Sequence, residues 1–375
     1  MNRSRMFVIV CIALGLTTTL TPAASVIRAA ISSESRVGSV LPAAPMLEAR
    51  AGQTATLLPN GKVLIAGGMR RNLDFYSSAE LFDPSTGNFQ RTGEMSIGRL
   101  GHIAVLLRSG KVLVAGGWIG RAATDSAELY DPTTGKFTAI ANMTARRGRP
   151  IATMLANGDV LITGGMDHDG QGGQLASAEL FRTATLSFQP TGVMHHARVG
   201  HTATLLNNGK VLLAGGKGDR LTASAELYDP KTGVFSETGT LITARYKHIA
   251  GLLPDGRVLV AGGSDEQDWS GNLNSAEIYD PGTGRFSPTS AMKDKRFKLP
   301  EQAVQLQNGK LLVAGGSKEA EIYDPALGKF FTVSGQLNDS WHYMTETELR
   351  DGSVLLAGGY PDGDQPTAQT WIYHP

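Results

Sequence analysis

Two apolar patterns alternate along the chain at a near-constant period. A stretch in which apolar and polar residues alternate, such as Thr54-Ala55-Thr56-Leu57, runs into a Pro59-Asn60-Gly61 turn. An uninterrupted apolar run follows, Val63-Leu64-Ile65-Ala66, and it ends on a glycine pair. Alternation predicts a half-buried strand, and a short continuous run predicts a strand buried on both faces. Asn-Gly, Asp-Gly and Ser-Gly turns supply the positive φ angles that join two such strands as a hairpin. The glycine pairs recur as Gly67-Gly68, Gly116-Gly117, Gly164-Gly165, Gly215-Gly216, Gly262-Gly263, Gly315-Gly316 and Gly358-Gly359, 43 to 53 residues apart.

After each pair comes a variable loop and then a third predicted strand. It ends in Tyr-Asp-Pro or a relative, from Phe82-Asp83-Pro84 to Tyr373-His374-Pro375. A fourth strand opens seven residues later with Phe89, Phe137, Phe188, Phe235, Phe286 or Phe330. The glycine pair, the tyrosine and the later aromatic together resemble the kelch repeat, over about Val40 to Pro375. The wording of the apolar runs looks like bacterial exported kelch proteins and is similar to the propeller domain of galactose oxidase. The resemblance implies an all-β, seven-bladed kelch-type β-propeller. Each repeat buries its faces only against its neighbours, so residues 39–375 form one domain.

The seventh repeat stops at its third strand. Counting back from Met46 and Arg50, which match the frame of later repeats, puts Val40 at the fourth-strand aromatic position. Residues 39–46 are therefore expected to pair beside Trp371–Tyr373 and close the last blade, which otherwise presents an open edge.

Ahead of this strand, Arg3 and Arg5, an apolar run from Met6 to about Leu16, and small residues near Ser25 read as a signal peptide over residues 1–24, with cleavage possible as late as residue 30. Residues 25–38 are expected to be a flexible lead-in, and the protein to be exported, periplasmic or extracellular. The single cysteine, Cys11, lies inside the apolar run behind Val10, a poor context for a lipid anchor. A cleaved chain would carry no cysteine, so disulfides, thiolate catalysis and the cross-linked tyrosine of copper radical oxidases are not expected. Lys and Arg total 35 against 34 for Asp and Glu. That balance gives no bulk argument for nucleic acid. The partner expected is a protein or glycan ligand, with an anionic one favoured, on a monomer that does not insert into membranes and holds no cofactor or metal.

Short turns occupy one face of the ring, so function is expected on the other, beside the loops that follow the glycine pairs. Arg50, Arg99, Arg147, Arg198 and Arg245 each open a first strand, with Arg296 or Lys298 in the sixth repeat. They invite two readings. One is a cationic funnel for a carboxylate, sulfate or acidic sugar. The other is structural, because Glu80, Glu128, Glu179, Glu226, Glu277 and Glu321 recur in matching number on the third strands. Departures from the repeat are the further candidates: Trp118, Trp269 with the loop from Glu266, Trp341, His342, Tyr343 and Tyr360, with Gln53, Arg146 and Arg149. No complete catalytic constellation is visible. An enzymatic alternative, a carbohydrate-active kelch protein resembling a sialic-acid mutarotase, would rest on Glu301 beside Arg296. A non-catalytic binding module is the first expectation.

Overall fold

The computed structural model describes residues 37–375 other than 72, 169–171, 301 and 362–364. The expected signal peptide lies outside the described residues, as does Glu301. Among the described residues, seven antiparallel four-stranded sheets follow one another around a ring, joined by two small hairpins at Met69–Phe75 and Trp118–Ala123. Blade 1 is Thr54–Leu57, Val63–Ala66, Ala79–Asp83 and Asn88–Arg91. Blades 2 to 6 repeat that order through residue 332, and blade 7 comprises Thr345–Glu348, Val354–Ala357, Thr370–His374 and Ser39–Ala43.

The four-residue apolar runs are the second strands, and every blade leans on both neighbours through them. Leu64 and Ala66 pack with Val112, Val114 and Tyr130 of blade 2. Val63 and Ile65, from the same strand, pack with Leu355 and Ala357 of blade 7. Alternate side chains of one strand thus feed two different cores, so the runs are apolar throughout except at Thr163, whose buried hydroxyl is paired with His201 at 2.9 Å. The spacing of the outer aromatics has a similar origin. Tyr130 and Phe137 stand opposite each other on adjacent strands with their rings 4.8 Å apart. The Tyr130 hydroxyl shares a 2.8 Å hydrogen bond with Thr92 of blade 1.

The ring closes as the sequence frame requires. Val40 pairs with Tyr373 and Pro42 with Trp371. The Val40 N–H also donates to the Ser334 carbonyl at 2.8 Å, tying the closing strand to blade 6.

Blade 6 departs from its siblings. Its first strand shrinks to Val304–Gln305, and the residues before it lean onto blade 5, where the Ala303 N–H donates to the Ala250 carbonyl at 2.9 Å. Ala314 follows the second strand, Leu311–Val313, where its counterparts Ala261 and Ala357 pair with first strands. Its N–H instead meets Glu346 Oε1 at 2.8 Å, from blade 7. The other carboxyl oxygen, Oε2, is buried without a hydrogen-bond partner. Burial pushes this carboxyl up to about 8, with Arg296 opposing weakly.

Two outcomes follow from these contacts. Deleting residues 36–48 should lower the melting temperature markedly, because several ladder hydrogen bonds of about 1 kcal/mol each are lost along with the burial of Val40; an unchanged melt would contradict ring closure. Glu346 binds its proton more tightly folded than unfolded, so its contribution to stability declines as pH rises from about 4.5 towards 8. Glu346→Gln should therefore raise the melting temperature more at pH 9 than at pH 5, and an equal effect at both would contradict the buried acid.

Candidate functional site

The repeated arginines lie at the turn into each blade, where the backbone passes the glycine pair of the preceding blade. Gly68 N–H donates to the Arg99 carbonyl at 2.9 Å, while the Arg99 guanidinium reaches into blade 2 and donates to the Gly116 and Ser126 carbonyls. It ends on Glu128, and the same pairing joins Arg50 to Glu80, Arg147 to Glu179, Arg198 to Glu226, Arg245 to Glu277 and Arg296 to Glu321, at 2.6 to 3.0 Å. All six guanidiniums are at most 1% exposed. The other carboxylate oxygens are used as well: Glu80 accepts from the Leu47 N–H at 2.7 Å and Glu179 from the Thr144 N–H at 2.7 Å. Burial raises the Glu226 carboxyl, but the His195 N–H and Arg198 outweigh it and hold the group below its ordinary range.

Arg50, Arg99, Arg147, Arg198 and Arg245 accordingly do not form a funnel for ligand. Each is a rivet between blades, its charge met by glutamate and its donors by carbonyls. Arg296 is committed in the same way, which removes the cation from the Glu301 and Arg296 pairing. The histidines three residues on are framework too. His102 and His248 are pulled down to about 3, first by burial and then by Arg99 and Arg245, so both are neutral at physiological pH.

Blade 7 carries a different rivet. Trp341 stands at the arginine position, and Trp371 occupies the register held by glutamate in the other blades. The rings pack 5.9 Å apart, and the Trp341 indole N–H donates to the Leu337 carbonyl at 2.7 Å. Trp341 is committed to Trp371 and the Leu337 carbonyl and stands outside the lining of the channel mouth, so it is a packing residue.

Two residues beyond each rivet the chain turns inward at the mouth of the central channel. In all seven blades this residue has a left-handed backbone: Gly52, Gly101, Arg149, Gly200, Lys247, Lys298 and Tyr343, with φ between 52° and 64°. The conformation lets each N–H reach the neighbouring blade, as in Gly52 to the Tyr343 carbonyl at 3.0 Å, Tyr343 to Lys298 at 2.9 Å and Lys247 to Gly200 at 2.8 Å. Glycine adopts it freely, whereas a residue with a side chain costs about 1–2 kcal/mol. Four blades carry that cost, and their side chains fill the mouth. Strain of this kind, held by a rigid surround, is a marker of function.

The Arg149 guanidinium crosses the mouth from blade 3, stacks 4.3 Å above the Tyr343 ring and donates to its hydroxyl. It can cross because Gly101 has no side chain: a Cβ there would lie 2.8 Å from Arg149 Cγ. Lys298 Nζ lies 3.4 Å from the centre of the Trp269 ring and donates to the Tyr360 hydroxyl at 2.9 Å. Lys247 meets Asp268 at 2.7 Å, and the Tyr246 hydroxyl donates to the same carboxylate at 2.6 Å. Lys247 and Tyr246 hold Asp268 ionised against the opposing effect of burial. Behind them His342 packs edge-on against Trp269 and Phe297.

Arg149, Tyr246, Lys247, Lys298, Tyr343 and Tyr360 line a cavity of about 490 Å³, within the usual range for small-molecule sites. Arg121, Arg149, Lys217, Lys247 and Lys298 face it, and no carboxylate among the described residues lines its wall. Of the residues singled out from sequence, the structure brings Trp118, Tyr360 and Arg149 to this cavity and sets Trp269 over Lys298. Tyr343, also singled out, joins them. Lys217, Tyr246 and Lys247 line it too and were not among the sequence candidates. The signal for Lys247 was present in the repeat. Aligned on the arginines, position +2 reads glycine in blades 1, 2 and 4 and a large residue elsewhere.

The division between rivet and mouth is measurable by urea unfolding. Glu179→Ala strands a buried arginine and should cost about 3–5 kcal/mol, whereas Lys217→Ala should stay within about 0.5 kcal/mol of the parent. Equal losses would contradict it.

A kelch motif matches residues 101–144 and 247–293, which fall in blades 2 and 5. No curated protein gives a significant match. Among the many solved chains that match is a fungal alcohol oxidase with catalytic diversity among the AA5 family, in complex with copper. It is 17% identical with a TM-score of 0.74, and the match covers 90% of this chain and 76% of that one. At that identity the likeness speaks for the fold. The mouth is not suited to copper: cationic side chains line it, and the described residues bring no group of three His, Cys, Asp or Glu together. The chain carries kelch motifs and folds as a seven-bladed kelch-type β-propeller.

Proposed function

We propose that this protein is a binding module that holds an anionic ligand at the mouth of its propeller, an acidic glycan being the leading class. The observation that carries this reading is the presence of Arg149, Lys247 and Lys298 at left-handed positions that glycine fills in blades 1, 2 and 4. Arg149, Lys217, Lys247 and Lys298 gathered at one cavity, against the single carboxylate of Asp268 on Lys247 among the described residues, have the electrostatics of an anion receptor. Guanidinium and ammonium groups donate charge-assisted hydrogen bonds to carboxylate, sulfate or phosphate. Tyr246, Tyr343 and Tyr360 add rings and hydroxyls suited to the faces and edges of a sugar. We further propose that the protein works outside the cytoplasm, on the strength of its basic, then apolar, then small-residue opening.

Titration calorimetry of the whole chain with acidic and neutral oligosaccharides of equal size tests this. Acidic ligands should bind more tightly, with affinity falling as salt is added. Lys217→Ala combined with Lys247→Ala should weaken acidic binding by about tenfold or more while the melt changes little. Equal affinity for both classes would overturn the reading. Chemical conversion of the ligand during titration would redirect it to a carbohydrate-active enzyme.

A further inference from the structure

The mouth is chemically two-sided, and the division follows blade order. Two positions of the repeat contribute most to the cavity: the residue after the rivet and the residue after the glycine pair, which meet in backbone bridges such as Leu100 with Trp118, Val199 with Lys217 and His342 with Tyr360. In blades 1 to 3 the position after the glycine pair is Met69, Trp118 and Met166. In blade 4 it is Lys217, and in blade 7 Tyr360. The residue after the rivet changes likewise, from Ala51, Leu100 and Gly148 to Tyr246, Phe297 and His342.

The apolar side is built, not incidental. Trp118 lies flat against Gly148, where a Cβ would come within 2.3 to 2.6 Å of three of its ring atoms. That contact pins the indole at the cavity wall. Met69, Phe75, Leu100 and Met166, each partly exposed, continue the wall towards the Met69–Phe75 hairpin. Apolar surface left open in a concave wall gains free energy when a ligand covers it. The opposite wall offers Lys217, Lys247 and Lys298 with their aromatic neighbours. Arg149 belongs to blade 3 but reaches across to Tyr343, so its charge also sits on the cationic side; Arg121, in the Trp118–Ala123 hairpin of blade 2, is the exception to the division.

We infer that the ligand is an amphiphilic organic anion: an acidic head held by Lys217, Lys247 and Lys298, and an apolar or aryl arm laid over Met69, Trp118 and Met166. This rests on the anion-receptor reading above and narrows its ligand from acidic glycans in general to acidic molecules bearing an apolar arm. A purely hydrophilic acid would leave the methionine and tryptophan wall wet, and an uncharged amphiphile would forgo charge-assisted hydrogen bonds from the lysines.

Three probes separate the possibilities when titrated into the whole chain: 4-phenylbutyrate, glucuronate, and uncharged 4-phenylbutanol. Phenylbutyrate should bind at least tenfold more tightly than either of the others. Met69→Gln with Met166→Gln, which keeps side-chain length, should weaken phenylbutyrate at least fivefold and leave glucuronate unchanged. Lys217→Ala with Lys247→Ala should weaken both acids. Glucuronate matching phenylbutyrate, with no effect of the glutamine pair, would overturn the two-sided site while leaving the anion receptor standing. Phenylbutanol matching phenylbutyrate would overturn both. Absence of binding by phenylbutyrate would overturn the two-sided site outright.

Discussion

Everything in this ring depends on the buried arginine that crosses from one blade to the next. Its backbone carbonyl accepts from the glycine pair behind it, and its guanidinium spends its donors on carbonyls and a glutamate ahead. A buried ion pair is weak evidence of stability in itself, because desolvation offsets much of the attraction. What the pair fixes is register. The geometry admits one arrangement of turn, glycine pair and third strand, and six blades adopt it. Blade 7 shows that the position requires a filled, hydrogen-bonded joint and not charge as such. There two tryptophans replace both ions together, as they must, since either ion alone would be stranded.

A framework held this firmly lets the next turn of backbone take unfavourable angles. The left-handed ring at the channel mouth is a direct consequence. Where the residue is glycine the ring is open, and where it is Arg149, Lys247, Lys298 or Tyr343 the side chain projects over the mouth. The apolar cores between blades play no part in that choice, which is why the mouth can differ from blade to blade while the strands stay alike.

Much of this was legible in the amino-acid sequence, and the limits have physical causes. The second strands announce themselves because both faces are buried, and the closing strand is found from Met46 and Arg50 because register is periodic. The direction of a side chain is not periodic information. Arg147 viewed in sequence is equally a ligand for anions and a partner for Glu179, and only the turn at its backbone decides that it points into the blade. Trp341 misleads for the same reason: a break in a repeat draws attention, yet here the break is compensated by Trp371 from the far end of the blade. Lys247 escaped notice because its distinguishing property is a backbone angle, visible in sequence only as the loss of a glycine. Blade 6 was readable as irregular, but that Glu346 would cap Ala314 depends on a contact between blades.

The central claim is that backbone strain at the mouth is retained for binding and not for folding. Lys247→Gly tests it most directly, with thermal unfolding and anion titration measured on the same preparation. Glycine relieves a left-handed residue worth about 1–2 kcal/mol, which offsets the loss of the half-exposed contact with Asp268. The account predicts a melting temperature that holds or rises while anion affinity falls. A melting temperature that drops, with affinity intact, would contradict it.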